Sequence, residues 1–142
     1  MLTLASNTLG QYIFKDEIRL PVTAVKDQQS TGTCWSFATV SFIEAEILRL
    51  KHIDTDLSEM YFARMVYSEK AENYILRQGK ANFGEGGLSH DVLRNIDKNG
   101  LLPQTAYSGL VKGENYHNHQ SMVTNVQAVI DSMIETHHPG NN

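Results

Sequence analysis

The chain has 142 residues, of which 41% are hydrophobic, and a formal net charge of −4. This size and composition predict one globular domain with an apolar core, and the acidic balance argues against nucleic-acid and anionic-membrane partners. No apolar run approaches the ~20 residues of a membrane span, and the N-terminus lacks a signal-peptide pattern. With a single cysteine and hence no internal disulfide, a cytoplasmic location is expected, or a periplasmic or secreted one if a signal has been removed.

The first part of the chain is predicted to be an extended arm over residues 1–22. Its apolar residues surround a charged Lys15-Asp16-Glu17, and Pro21 biases the residue before it toward extended geometry, so a short strand or an arm is expected. Residues 23–142 are predicted to form a single helical unit.

The main chemical signal lies where a polar loop becomes a helix. Gln28 to Gly32 breaks both helix and strand patterns, and a helix is predicted from about Thr33 to Leu50. With Thr33 as N-cap, Cys34 lies in the first turn, where unpaired N–H groups and the helix dipole favour a thiolate, the nucleophilic form. Gln28 could donate its side-chain amide to a developing oxyanion. The apolar face of this helix is expected to comprise Phe37, Val40, Ile43, Ile47 and Leu50.

Three more helices are predicted downstream. One runs from a Ser58 N-cap to about Gln78, and another from a Ser89 N-cap to about Asn99. The last follows a polar loop over 103–120, and its apolar face comprises Met122, Val126, Val129, Ile130 and Met133. Between the second and third helices, Gly84, Gly86 and Gly87 crowd into four positions. By itself, such a cluster indicates a turn.

The segment around the cysteine resembles the active site of papain-like cysteine peptidases. Gly32-Thr33-Cys34-Trp35 keeps the glycine, cysteine and aromatic residue of the C-G-[SA]-C-[WY] signature, with Thr31 in place of the first cysteine. The resemblance spans about Val22 to Leu110 and looks closest to the bleomycin hydrolase and aminopeptidase C branch. Its other matches follow in order: Leu57-Ser58-Glu59, Gly84-Glu85-Gly86-Gly87, and Gly100-Leu101-Leu102-Pro103 with Tyr107.

The resemblance implies a mainly α fold, namely the helical lobe of an α+β papain-like proteinase, with the β-rich lobe absent from this chain. It implies that Thr31 and Gly84 occupy positions that carry a disulfide in many secreted relatives. The implied site residues are Cys34 as nucleophile, Gln28 as oxyanion donor, Gly86 and Gly87 as substrate-backbone contacts, Leu88 near the pocket for the second side chain upstream of the cut bond, and Trp35 as a packing shield.

The histidines do not supply an obvious catalytic base. The family's base lies about 130–150 residues after its cysteine, which here falls past Asn142. We interpret His137 and His138 as part of a linker. His117-x-His119 is interpreted as a polar loop in preference to a metal site, because two imidazoles without a third ligand bind weakly. No metal and no other cofactor are expected.

Three functions remain open on the sequence. The leading one is a cysteine-type peptidase of the aminopeptidase C or bleomycin hydrolase type, inactive until the missing β-rich lobe supplies histidine and asparagine. Its expected partners are a peptide substrate and that lobe, and a homo-oligomer is left open. The alternatives are a non-catalytic helical peptide-binding or regulatory module, and a structural protein with an inert buried cysteine.

Overall fold

The computed structural model describes residues 12–137, so the start of the predicted arm and His138-Pro139-Gly140 lie outside the described residues. The described part contains four helices: α1 (Cys34–Lys51), α2 (Glu59–Leu76), α3 (Ser89–Asn99) and α4 (Gln120–His137). Within it, extended pairing is limited to two isolated bridges, Ser30 with Asn118 and Leu57 with Pro103. The prediction of a mainly α fold is confirmed. No helix in these residues is long and apolar enough to cross a bilayer.

The arm forms no regular element between residues 12 and 22, so the strand considered for it is not formed in that range. Tyr12, Ile13 and Phe14 are each about nine-tenths exposed, and Ile18 is nearly so. These four side chains of the arm are therefore largely uncovered by the rest of residues 12–137.

The main core lies between α1, α2 and α3. Its buried apolar residues are Trp35, Val40, Leu57, Met60, Phe62, Ala63, Val66 and Val92. The predicted face of α1 is correct for Val40, and for Phe37, Ile43 and Ile47, which pack at the edge of this core. The prediction is wrong for Leu50, which is 59% exposed because it lies in the last turn, beyond the other helices' reach.

A second, smaller core joins α4 to the far end of α2. Tyr74, Phe83 and Ile130 are buried there. The predicted apolar face of α4 is buried only at Ile130; Met122, Val126, Val129 and Met133 are exposed. Within the described residues α4 packs against α2 alone among the helices, so a single narrow line of contact replaces the broad buried face that the sequence predicts.

The helix ends follow the sequence at some positions and depart from it at others. Ser58 caps α2 as predicted, because its hydroxyl accepts from the backbone N–H of Tyr61 at 3.1 Å. Ser89 was expected to cap α3 but is its first residue, and Leu88 holds the N-cap position. The reason is Asp91, whose carboxylate accepts from the backbone N–H of Leu88 at 2.9 Å and so moves the start of the helix back by one residue.

Candidate active site

The cysteine lies where the sequence places it. Cys34 is the first residue of α1 and is free and exposed. Thr33 holds the N-cap position, but its hydroxyl pairs with the Thr31 hydroxyl at 2.5 Å and does not cap the helix. The first-turn N–H groups are therefore left without a side-chain cap, which favours an anion at this end of α1. The exposure of Cys34 rules out the alternative of a buried, inert cysteine.

Residues 28–33, which we call the nucleophile loop, close on themselves before α1. The Gln28 side-chain amide donates to the carbonyl of Thr31 at 2.5 Å, and the Thr31 hydroxyl donates back to the carbonyl of Gln28 at 2.8 Å. An amide nitrogen carries two hydrogens, so this bond leaves one donor on Gln28. The oxyanion role of Gln28 stays a prediction that depends on this second hydrogen.

Residues 116–119, which we call the strap, lie against the nucleophile loop. Ser30 donates its N–H to the carbonyl of His117 at 3.2 Å, and His119 donates its N–H to the carbonyl of Ser30 at 3.3 Å. The Gln29 side chain accepts from the backbone N–H of His117 at 2.5 Å, and the hydroxyls of Ser30 and Tyr116 are 2.8 Å apart. The sequence shows this strap only as a polar loop, because its partners lie some 88 residues earlier in the chain.

The two histidines of the strap lie with their rings edge-on to each other, and the His119 ring also lies edge-on to Tyr67. His119 Nδ1 lies 3.0 Å from the hydroxyl of Tyr67. Burial lowers the pKa of His117, and burial also lowers that of His119, with the charge of Glu85 opposing and His117 reinforcing the effect. Both imidazoles are therefore neutral near pH 7. Among residues 12–137, no group of three His, Cys, Asp or Glu side chains converges to hold a metal ion.

Residues 84–87, which we call the glycine loop, contact both sides of the cysteine. The Glu85 carboxylate accepts from the backbone N–H of Gly32 at 2.6 Å, and the Glu85 carbonyl accepts from the indole N–H of Trp35 at 3.0 Å. A Cβ on Gly87 would lie 2.6 Å from a ring carbon of Trp35, so the glycine is packed flat against the indole. Gly86 has open space where a Cβ would stand.

The remaining predicted residues divide between packing and exposure. Trp35 is 8% exposed, which fits a packing shield, and Leu88, the residue directly after the glycine loop, is 61% exposed. The ammonium of Lys70 on α2 donates to the carbonyls of Gly84, at 2.7 Å, and Gly86. Lys70 has no sequence signal, whereas the position of Glu85 inside the glycine run could have drawn attention to it.

A partly buried ion cluster, which the sequence pattern does not reveal, lies just before the nucleophile loop. The ammonium of Lys26 lies 2.9 Å from Glu44, 2.6 Å from Asp56 and 2.7 Å from Glu59. Burial works to lower the pKa of Lys26, but hydrogen bonds to the three carboxylates outweigh it and raise that pKa well above its ordinary value. Burial raises the pKa of Glu59, and the hydrogen bond from Lys26 opposes this rise.

The sequence model described as papain family cysteine protease matches residues 14–139. The match covers most of the chain, and the exposed cysteine at the start of α1 lies inside it. The chain therefore belongs to the papain family of cysteine proteases. The match confirms the predicted superfamily and extends past both ends of the segment, Val22 to Leu110, that carries the resemblance.

Proposed function

We propose that this chain supplies the nucleophile and part of the peptide-binding surface of a cysteine-type peptidase. The observation that carries the proposal is the exposed Cys34 at the N-terminus of α1, with the glycine loop beside it. The thiolate sulfur attacks the carbonyl carbon of the scissile bond, and the electron pair of the C=O bond moves to oxygen. The Gln28 amide and the backbone N–H of Cys34 would stabilise that oxyanion.

Completing the reaction requires a group that first donates a proton to the leaving amine and then accepts one from water, and we propose that this group lies outside residues 12–137. The tetrahedral intermediate collapses when the leaving amine receives a proton, and water then releases the acyl group. His52 lies past the other end of α1, about 27 Å from Cys34 for an 18-residue helix. The ring of His119 pairs with the hydroxyl of Tyr67 and lies edge-on to the ring of His117. His90 lies 3.5 Å from its neighbour Asp91 at the start of α3. We infer that histidine and asparagine come from a β-rich lobe outside residues 12–137.

One side of α1 supports the proposal of a second lobe. Exposed residues recur along it at helical spacing, starting from Cys34 and continuing through Ala38, Ser41 and Phe42, which is 64% exposed. Val25, at 98% exposure, adds apolar surface beside this stripe and lines a shallow pocket with Ala38 and Ser41. A lobe seated on this stripe would cover its apolar atoms and bring a base next to the sulfur.

Within the family, we propose an aminopeptidase C or bleomycin hydrolase type of enzyme, acting on peptides in the cytoplasm. The support is the run from Ser30 to Trp35, together with Thr31 and Gly84 at positions where a disulfide would need two cysteines. A chain with one cysteine needs no oxidising compartment for folding.

The first test is the alkylation of Cys34 by iodoacetamide at pH 6, followed by mass spectrometry. We expect labelling at least about tenfold faster than that of a free thiol such as glutathione, because a thiolate at a helix N-terminus reacts where a thiol does not. Since Cys34 is the only cysteine, Cys34→Ser gives a clean blank. Labelling at the rate of the free thiol would contradict the proposal.

The second test supplies the β-rich lobe, by extending the chain or adding the lobe in trans. We expect hydrolysis of peptides with a free N-terminus and little hydrolysis of N-terminally blocked ones. The alternative is a peptide-binding module without turnover. Peptide binding with no cleavage after the lobe is supplied would establish that alternative.

A further inference from the structure

We propose that Glu85 is a positioning residue that holds the nucleophile loop and the glycine loop in one fixed geometry. The inference rests on the proposed function, since it concerns how the oxyanion donors and the substrate-binding backbone are kept in register. It stands on contacts of Glu85 with residues on both sides of Cys34, and on the way Lys70 holds the two neighbours of Glu85.

The first contact is made by the carboxylate. Glu85 Oε2 accepts from the backbone N–H of Gly32 at 2.6 Å, two residues before the nucleophile. A hydrogen bond with a charged acceptor is roughly twice as strong as a neutral one. The approach also needs Gly32 itself, because a Cβ there would lie 2.7 Å from the Cβ of Glu85.

The second contact is made by the backbone of the same residue. The carbonyl of Glu85 accepts from the indole N–H of Trp35 at 3.0 Å, one residue after the nucleophile. Trp35 is almost fully buried and therefore has little freedom to follow a displaced loop. Glu85 thus contacts the chain on both sides of Cys34. Its side chain binds Gly32, before the cysteine, and its main-chain carbonyl binds Trp35, after it.

The glycine loop is fixed on its other side by Lys70. The ammonium donates to the carbonyl of Gly84 and to that of Gly86, which are the residues directly before and after Glu85. Glycines alone would leave this loop free to change conformation. Lys70 restricts the loop, so α2 fixes the position of Glu85. Through its hydrogen bond to Gly32, Glu85 in turn fixes the nucleophile loop.

Glu85 therefore links the nucleophile loop to the glycine loop. A disulfide cannot provide this link, since the chain has one cysteine. Displacing Gly32 would shift the backbone N–H of Cys34 and the amide of Gln28, both assigned to the oxyanion. Displacing Gly86 would shift the backbone assigned to the substrate. Glu85 connects the two, so its loss should weaken binding that uses both and spare chemistry that uses only the sulfur.

A peptide aldehyde and iodoacetamide distinguish binding that uses both loops from chemistry that uses only the sulfur. The sulfur of Cys34 adds to the aldehyde carbon, a C–S bond forms, and the carbonyl π pair moves to oxygen, which takes a proton from water; this adduct uses oxyanion donors and substrate-binding backbone. Iodoacetamide needs only the sulfur, which displaces iodide. The proteins compared are the full chain, Glu85→Ala, Glu85→Gln, Glu85→Asp, and Glu72→Gln as a control at an exposed glutamate of α2. The aldehyde is measured with the second lobe supplied where the chain alone does not bind it.

We expect Glu85→Ala to raise the Kd of the aldehyde by about tenfold or more, the size of a lost hydrogen bond to a charged group. Glu85→Gln keeps an oxygen that can accept from Gly32 and should recover most of the affinity, whereas Glu85→Asp keeps the charge but is one methylene too short and should not. Iodoacetamide rates should stay within about twofold throughout, because the helix N-terminus is untouched.

Amide hydrogen exchange supplies the independent check. The Gly32 N–H should exchange faster in Glu85→Ala than in the parent, and Glu72→Gln should leave its exchange unchanged. Equal exchange of Gly32 in the parent and Glu85→Ala would overturn the link itself. The positioning role would be overturned if the Gly32 N–H exchanges faster in Glu85→Ala while the aldehyde binds all variants with the same Kd. The same conclusion would follow if the aldehyde binds none of them. Slow alkylation of the parent chain would instead contradict the proposed function.

Discussion

At the scale of single residues, the two glycines proposed to bind substrate, Gly86 and Gly87, differ in their surroundings. Gly87 is required by packing, because any side chain there would penetrate the ring of Trp35. Gly86 faces open space, and its carbonyl is held by Lys70. Sequence pattern alone treats the two as equivalent, whereas in the structure only Gly87 is packed against a side chain. The role of both as substrate-backbone contacts stays a prediction.

This difference predicts a matched pair of substitutions. Gly87→Ala should lower the free energy of unfolding by about 1–3 kcal/mol through overpacking. Gly86→Ala should change it by less than about 0.5 kcal/mol, as expected for an exposed position, yet should weaken peptide-aldehyde binding by crowding the substrate backbone. Urea unfolding and aldehyde titration measure the two effects. Equal destabilisation by both substitutions would contradict the assignment.

At the scale of elements, the strap and the nucleophile loop stabilise each other across a long stretch of sequence. Gln29 adopts a left-handed conformation, with φ of +59°, that costs a non-glycine residue roughly 1–2 kcal/mol. Its side chain meanwhile accepts from the N–H of His117. The hydrogen bond from the strap to the side chain of Gln29 therefore offsets the backbone strain at the same residue.

We expect Gln29→Gly to leave the global unfolding free energy within about 1 kcal/mol, because relief of strain and loss of the hydrogen bond oppose each other. Locally, the N–H of His117 should exchange about tenfold faster, since a local opening becomes easier. Gln78→Gly is the matched control, because Gln78 also has a left-handed backbone, with φ of +56°, but lies at the end of α2. An unchanged or slower exchange of the His117 N–H in Gln29→Gly would contradict the role of this hydrogen bond.

At the scale of the whole molecule, the ion cluster around Lys26 joins three separate parts of the chain. Glu44 of α1, 1% exposed, also accepts from the Thr23 hydroxyl and from the N–H of Leu57, each at 2.7 Å. The segment before the nucleophile loop, α1 and the start of α2 are thus held at one point. Removing the lysine leaves buried carboxylates without their counter-charge.

Lys26→Met should therefore destabilise the fold by about 3 kcal/mol near pH 7, and the exposed Lys112→Met should have almost no effect. Because the folded pKa of Lys26 is raised, its contribution is complete below its ordinary pKa near 10.5 and is lost as the pH rises above that value. The pKa of Glu59 is also raised, so the deficit of Lys26→Met should shrink as acid protonates that carboxyl in the folded state. Urea unfolding at several pH values measures the loss of unfolding free energy in Lys26→Met relative to the parent. A loss that does not change with pH at either the alkaline or the acid end would contradict the role given to Lys26 and Glu59.

The sequence by itself determined the class of fold, the family and the place of the cysteine in the first turn of a helix. Four helices, the Ser58 cap and Cys34 in the first turn of α1 follow from local rules of periodicity and capping, which act within a few residues. Predictions failed where the outcome depended on what another element covers, as with Leu50 at the end of α1 and the exposed face of α4.

Only the tertiary structure decided how the site is held together. Glu85 with Gly32, Gln29 with His117, and the carboxylates around Lys26 are pairings between residues 18 to 88 positions apart. No local pattern encodes such pairings, because each depends on the packing of whole helices that brings two distant loops within hydrogen-bond distance.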